Sequence, residues 1–197
     1  HTQFLPSSFE KYARDADGDG RVGPDATAGQ LWARLEPEVG YLPEAQRARV
    51  RAAVDVAFRA HAGQRRKSGE PFAVHPVEVA AILAHLGMDA DTVVAGLLHD
   101  TVEDTPITKR HIEEEYSPWY ARIVEGLTKV HYTKDDIRRS QTNQEATYQR
   151  MLSALAWDVR VLFIKMFDRL DNMRDMDAMP RSKRRRISRE TLNIYVP

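Results

Sequence analysis

Apolar residues recur at three- and four-residue intervals along almost the whole chain, and strict alternation of apolar and polar residues is nearly absent. Because an α-helix has about 3.6 residues per turn, this spacing indicates helices that each bury one face. No apolar stretch approaches the length needed to span a membrane. The pattern therefore predicts an all-α fold.

Local signals divide the pattern into successive helices. Pro76 favours a helix start, Gly87 favours a helix end, and Asp89 or Asp91 can cap the helix that follows. In chain order, the predicted helices cover residues 44–61, 76–87, 91–104, a segment capped by Thr108, 118 to about 130, 143–156, a long segment capped by Asp158, and 182–195. Residues 131–142 are predicted to form a polar loop. The inward face of the helix after Asp158 is predicted to carry Val159, Leu162, Phe163, Met166, Leu170 and Met173.

Composition narrows the class of protein. A chain of 197 residues can bury one core. Its formal net charge is zero, which argues against nucleic acid or an anionic membrane as a partner. The absence of cysteine excludes disulfides and thiolate metal sites, and the N-terminus lacks the layout of a signal peptide. These features predict a cytoplasmic protein.

The segment 97–104 concentrates side chains that bind metals or transfer protons. If residues 91–104 form one helix, His99 and Glu103 are neighbours one turn apart, and so are Asp100 and Asp104. Adjacent His99 and Asp100 offer one nitrogen and one oxygen ligand to a divalent ion, and the two later carboxylates can orient water or move protons. The alternative is an acidic helix end with a chance histidine.

Two further residues can complete a metal site. His75 precedes Pro76 at a predicted helix start, although a histidine there is more often a loop or packing residue. Asp168 lies in an apolar run, where an unpaired carboxylate is costly to bury, so it needs a cation. A metal or Arg169 can supply that charge. Two histidines and two aspartates form a mixed site suited to manganese or iron rather than structural zinc.

His75, the pair His99-Asp100 and Asp168 match the H…HD…D pattern of the HD phosphohydrolase superfamily. Longer stretches resemble the RelA/SpoT homologues, and specifically their N-terminal HD domain, from about residue 31 to the end. They are residues 60–72, 95–104, 124–129, 168–174 and 187–195.

The resemblance implies an HD-domain helical bundle with a metal site between its helices. It also implies Mn²⁺-dependent hydrolysis of the 3′-pyrophosphate of ppGpp and pppGpp to GDP or GTP, in the stringent response. By motif, the metal ligands are His75, His99, Asp100 and Asp168, the catalytic residues are Glu103 and Asp104, and the substrate-binding residues are Arg66, Lys67 and Asn172. Without the resemblance, the basic run 65–67 is better interpreted as a solvated loop.

Two residues depart from the family pattern. Asp171 stands where many relatives have histidine, and Asp175 stands where threonine is common. We expect both to add negative charge near the pyrophosphate, which opposes anion binding. The alternatives left open are an HD phosphohydrolase acting on another nucleotide and a non-catalytic alarmone-binding remnant.

The N-terminus does not match this family. Residues 1–24 resemble a fragment of lytic murein transglycosylases, too short to form such a domain. We therefore predict a flexible extension over residues 1–28 and an isolated hydrolase domain over residues 29–197.

Overall fold

The computed structural model describes residues 25–128 and 152–192. Besides a helical stretch over residues 152–157, the helices within them are α1 (Ala28–Leu35), α2 (Glu44–Ala60), α3 (Val74–His85), α4 (Ala90–Leu98), α5 (Thr101–Asp104), α6 (Lys109–Glu115), α7 (Pro118–Leu127), α8 (Arg160–Arg174) and α9 (Arg181–Glu190). Short 3₁₀ helices cover Glu36–Val39 and Met176–Ala178. The β pairing among the described residues is an isolated bridge between Arg65 and Pro71. The predicted all-α fold is confirmed.

Helices α3 and α4 form the centre of the domain. Every residue of α3 from Val74 to Ala84 is buried, and so are nearly all residues of α4. Such helices carry apolar residues on every face because neighbours cover every face. Helix α3 packs against α4, α8 and α1, while α4 also packs against α2. This arrangement brings the start of α3, the end of α4 and one face of α8 together.

The helix starts predicted at Asp89, Thr108 and Pro118 agree with the structure. The helix predicted to begin at Pro76 begins at Val74, and the N-cap of α8 is Val159 rather than the predicted Asp158. Asp89 accepts a hydrogen bond from the backbone N–H of Thr92 at 2.9 Å, and Thr108 accepts one from His111 at 3.2 Å. These side chains satisfy N–H groups that lack a partner in the first helical turn. Helix α7 begins at Pro118, as predicted.

The predicted continuous helix over 91–104 is wrong. Helix α4 ends at Leu98, and the short helix α5 begins at Thr101. The hydroxyl of Thr101 donates to the carbonyl of Leu98 at 2.7 Å, and the ring of His99 bonds the carbonyl of Gly96, also at 2.7 Å. Side chains thus take carbonyls that a continuing helix would bond through its backbone.

The predicted inward face of α8 is also wrong. Val159 is 54% exposed and Met166 is 41% exposed. The buried residues of α8 are Val161, Ile164, Asp168 and Asp171. The two carboxylates meet polar partners inside the domain, described below, so the buried face of α8 is partly polar.

Several predictions concern residues near the limits of the described ranges. The predicted loop 131–142 and most of the predicted helix 143–156 lie outside the described residues, although residues 152–157 are helical. Thr27 caps α1 with a reciprocal hydrogen bond to Gln30, and Ala26 is buried. The division into an extension and a domain stays a prediction, because residues 1–24 are not described. None of the described helices is long and apolar enough to cross a membrane.

A buried ion pair joins α1 to α3. Arg34 donates to both carboxylate oxygens of Glu78, at 3.0 and 2.8 Å. Glu78 is only 4% exposed. Burial raises the pKa of Glu78, while Arg34 opposes that shift. The two hydrogen bonds from Arg34 therefore stabilise the Glu78 carboxylate inside the apolar core.

We expect Arg34→Met to destabilise the protein by about 3–5 kcal/mol near neutral pH, because it leaves the buried Glu78 carboxylate uncompensated. The measurement is urea unfolding followed by circular dichroism. Arg110→Met is the matched control, since Arg110 pairs with Glu114 on the surface at 2.7 Å. Its cost should stay below about 1 kcal/mol. Equal losses for both variants would contradict this account.

Candidate metal centre

The structure brings the four predicted metal ligands together. His75 lies in the first turn of α3, His99 and Asp100 lie between α4 and α5, and Asp168 lies on the buried face of α8. Ligand atoms of His75, His99 and Asp168 lie within 4.8 Å of one another. One carboxylate oxygen of Asp100 lies 3.4 Å from Nε2 of His75 and 3.2 Å from Nε2 of His99.

The ring of His99 is oriented for metal binding. Its Nδ1 lies 2.7 Å from the carbonyl oxygen of Gly96. A carbonyl only accepts, so Nδ1 carries the hydrogen and Nε2 of the neutral ring presents a lone pair. That Nε2 is buried and makes no hydrogen bond among the described residues, although an Asp100 carboxylate oxygen lies 3.2 Å away. A buried nitrogen lone pair facing carboxylates fits a metal ligand.

His75 is oriented in the same sense by a different partner. Its Nδ1 lies 2.6 Å from a carboxylate oxygen of Asp171. Its Nε2 faces the cluster, 3.4 Å from Asp100 and 3.3 Å from Asp168. Burial lowers the pKa of His75, but the hydrogen bonds with these three carboxylates outweigh it and hold the pKa well above its ordinary value.

Asp168 and Asp100 remain ionised inside the domain. Burial raises the pKa of Asp168, but Lys165, 2.8 Å away, and the neighbouring imidazoles outweigh it and lower the pKa well below its ordinary value. Burial likewise raises the pKa of Asp100, but His99 and His75 outweigh burial and lower the pKa well below its ordinary value. The backbone carbonyl of Asp168 also accepts a hydrogen bond from Asn172 at 2.9 Å.

The donor set fits a divalent metal ion. Two imidazole nitrogens and two ionised carboxylates converge, and Nε2 of His99 makes no hydrogen bond in the described part of the chain. Mixed nitrogen and oxygen ligands suit manganese, iron or zinc. The arrangement is therefore a candidate divalent metal centre.

The predicted catalytic residues lie beside this centre. Glu103 is half-buried and Asp104 is exposed, and both belong to α5, which begins directly after Asp100. The backbone carbonyl of Asp104 accepts a hydrogen bond from Gln64 at 2.6 Å. Gln64 also bonds Nδ1 of His61 at 2.9 Å, and burial lowers the pKa of His61. The α2–α3 connection thus supports α5.

The predicted substrate-binding residues lie on two elements. Residues 64–72 form a tight hairpin, closed by hydrogen bonds from Arg66 to Glu70 and from Phe72 to Gln64. Lys67 is exposed at its tip. Asn172 lies on α8, and its side-chain carbonyl accepts a hydrogen bond from Arg66 at 3.5 Å. The nucleotide contacts of these three residues stay a prediction.

The guanidinium of Arg66 is mostly buried among carboxylates. It lies 3.5 Å from Asp171 and 2.5 Å from Asp175, with its side chain 7% exposed. The two aspartates that depart from the family pattern therefore both face this cation. Their expected effect on anion binding stays a prediction.

Sequence reasoning missed two partners of the predicted ligands. It named Arg169 as the protein cation for Asp168, whereas Lys165 forms the close ion pair. The three-residue spacing between Lys165 and Asp168 on one helix was a usable signal. It also treated Asp171 only as a source of negative charge, whereas Asp171 bonds His75. No local spacing links residues that lie 96 positions apart.

Comparison with known proteins agrees with this geometry. A family model described as HD domain matches residues 53–197. The chain therefore belongs to the HD domain family.

Two relatives show more specifically which proteins the chain is similar to. The putative chloroplastic GTP diphosphokinase RSH1 of Arabidopsis thaliana is 42% identical over 195 residues, which cover 96% of this chain and 22% of that protein. The bifunctional (p)ppGpp synthase/hydrolase SpoT of Escherichia coli K12 is 46% identical over 157 residues, which cover 80% of this chain and 22% of that protein. The chain thus spans about a fifth of the length of these relatives. The predicted resemblance to RelA/SpoT homologues is confirmed.

A solved structure shares the fold over most of both chains. It is described as a metazoan ortholog of SpoT that hydrolyzes ppGpp and plays a role in starvation responses. It superimposes with a TM-score of 0.59 at 25% identity, covering 77% of this chain and 86% of that one. The predicted HD-domain helical fold is confirmed. The likeness of residues 1–24 to transglycosylases stays a prediction.

Metal affinity should rise with pH. A metal requires neutral His75, whereas the surrounding carboxylates keep that ring protonated above its ordinary pKa. Below the pKa of His75 in the folded protein, each ion must displace a proton, so we expect Mn²⁺ affinity to rise by up to about tenfold per pH unit. Calorimetric titrations between about pH 6 and about pH 8, in buffers of different ionisation enthalpy, measure both the affinity and the proton release.

His85→Gln is the control for this experiment. His85 is a half-buried histidine that bonds Glu38 at 3.1 Å, outside the cluster. Its removal should leave the pH dependence unchanged. An Mn²⁺ affinity that does not vary with pH in the unmodified protein would contradict the account.

Proposed function

We propose that this protein is a guanosine-3′,5′-bis(diphosphate) 3′-pyrophosphohydrolase that uses Mn²⁺. In the proposed reaction, water attacks the phosphorus attached to the ribose 3′ oxygen. The bond between that phosphorus and the 3′ oxygen breaks, pyrophosphate leaves, and the 3′ oxygen takes a proton. The products are GDP from ppGpp and GTP from pppGpp. The proposed setting is the stringent response in the cytoplasm.

The observation that carries the proposal is the buried cluster of His75, His99, Asp100 and Asp168. These residues supply two nitrogen and two carboxylate ligands, and both rings turn Nε2 toward the cluster. When bound there, a divalent ion supplies Lewis-acid chemistry, which makes water more acidic and offsets negative charge on phosphoryl oxygens. The hydrolase activity named for SpoT and its metazoan ortholog supports the choice of substrate.

Residues next to the cluster can perform the proton transfers. Glu103 lies on α5, within one helical turn of Asp100, and is half-buried. We assign its carboxylate as the base that accepts a proton from the attacking water. Asp104 lies one residue further and is exposed, so it can exchange that proton with solvent. The bond from Gln64 to the Asp104 carbonyl holds the end of α5 in place.

The hairpin and α8 offer groups for the nucleotide. Lys67 is exposed at the hairpin tip, where a flexible ammonium can contact phosphate. Arg66 and Asn172 lie at the junction of the hairpin and α8, in contact with each other. We assign Lys67 to the phosphates, and Arg66 and Asn172 to the nucleoside side of the pocket.

Two variants separate metal binding from chemistry. We expect His99→Ala to lose both tight Mn²⁺ binding and ppGpp hydrolysis, because it removes the unsatisfied Nε2. Glu103→Gln should keep Mn²⁺ binding and lose about 10²- to 10⁴-fold in kcat, because it removes the base but no ligand. The measurements are chromatography of GDP and pyrophosphate released from ppGpp, and calorimetry of Mn²⁺ binding.

A surface variant controls for general effects of mutation, and other nucleotides test the choice of substrate. Arg110→Ala, on the exposed face of α6, should keep wild-type rates. Pyrophosphate release from ppGpp no faster than that of His99→Ala would refute the proposed function. Faster turnover of dGTP or a cyclic dinucleotide would favour an HD phosphohydrolase for another nucleotide.

A further inference from the structure

We propose that Asp171 is a positioning residue, which fixes the ring of His75 for metal binding while Arg66 holds Asp171 from the other side. The inference rests on the proposed function only in that it takes the cluster to bind a divalent metal. It gives a structural role to a residue that the sequence marks as a departure from the family pattern.

The contact between Asp171 and His75 defines the orientation of the ring. Oδ2 of Asp171 lies 2.6 Å from Nδ1 of His75, and both side chains are buried. An ionised carboxylate only accepts, so the hydrogen of this bond resides on Nδ1. Nε2 is then the atom left to bind a metal, and it faces Asp100 and Asp168 at 3.4 and 3.3 Å.

The hydrogen-bond partner that orients the ring of His75 differs in kind from the partner that orients the ring of His99. His99 is oriented by the neutral backbone carbonyl of Gly96, within its own turn of chain. His75 is oriented by a carboxylate on another helix, so its ring is tied to α8 as well as to α3. A carboxylate partner also makes an imidazole a stronger donor to a metal than a carbonyl does. Asp171 therefore affects both ring position and donor strength.

Arg66, which lies on the hairpin, forms a second contact with Asp171. One guanidinium nitrogen lies 3.5 Å from Oδ2 of Asp171, and another lies 2.5 Å from Asp175. The side chains of Arg66, Asp171 and Asp175 are 7%, 4% and 6% exposed. Buried carboxylates require nearby cations. Arg66 thus keeps Asp171 charged and aimed at His75, and it links the hairpin to the metal centre.

The test is a calorimetric titration of the full chain with Mn²⁺ alone, without nucleotide. We expect Asp171→Ala to weaken Mn²⁺ binding by about 10- to 100-fold, the range typical for loss of a partner to a metal-binding histidine. Asp171→Asn keeps an oxygen that can accept the hydrogen bond, so it should restore part of the affinity. Asp175→Asn is the matched control, because Asp175 contacts Arg66 at a similar depth. Its Mn²⁺ affinity should stay within about threefold of wild type, well inside that range.

A second measurement tests the protonation pattern of the His75 ring directly. Long-range ¹H–¹⁵N NMR spectra of the protein loaded with diamagnetic Zn²⁺ identify which nitrogen of His75 carries hydrogen. The expected result is hydrogen on Nδ1 in the wild type and in Asp171→Asn. Hydrogen on Nε2 in the wild type would overturn the proposal even if Asp171→Ala fails to fold.

The outcomes separate this inference from the proposed function. Tight Mn²⁺ binding by the wild type that is unchanged in Asp171→Ala would overturn the role of Asp171 and leave the hydrolase proposal standing. No Mn²⁺ binding by the wild type would overturn both. Tight binding without ppGpp turnover would refute the hydrolase proposal alone, and the loss in Asp171→Ala would still establish the positioning role.

Discussion

Two imidazoles and two carboxylates meet between α3, α4 and α8, at a depth where each side chain has little access to water. Carboxylates in such a place need cations, and the protein supplies Lys165 for Asp168 and Arg66 for Asp171. Both histidines bond partners through Nδ1 and so direct Nε2 toward the carboxylates. The protein thereby holds four candidate metal ligands together, and Asp168 also forms an ion pair with Lys165. The orientation of α8 and the break between α4 and α5 both serve this arrangement.

Close packing of α3 on α4 makes the arrangement geometrically accessible. A Cβ atom on Gly96 would lie 2.6 Å from Cδ1 of Leu83, so the glycine leaves room for that side chain between the two helices. The carbonyl of the same residue orients His99. The rings of His75 and His99 lie 5.2 Å apart between centroids. Gly96 therefore has two local roles, in the packing against Leu83 and in the orientation of His99.

Much of this could be predicted from the sequence, where the signal was local. Apolar spacing predicted the helical class, and Asp89 and Thr108 predicted helix starts, because caps act within three residues. The four candidate ligands were predicted from a motif, and the structure brings these residues together. The wrong inward face of α8 reflects long-range contacts, because the buried face of that helix carries Asp168 and Asp171. The break between α4 and α5 was missed although the side-chain bonds at it are local. The partnership of Asp171 with His75 depends on how α8 packs on α3, which periodicity does not report.

The central claim is that these four side chains bind one divalent ion. The most direct measurement is anomalous diffraction from crystals of the protein grown with Mn²⁺, recorded on both sides of the manganese absorption edge. The account predicts one strong anomalous peak within bonding distance of His75, His99, Asp100 and Asp168. No peak at this position, or a peak bound elsewhere in the domain, would contradict it.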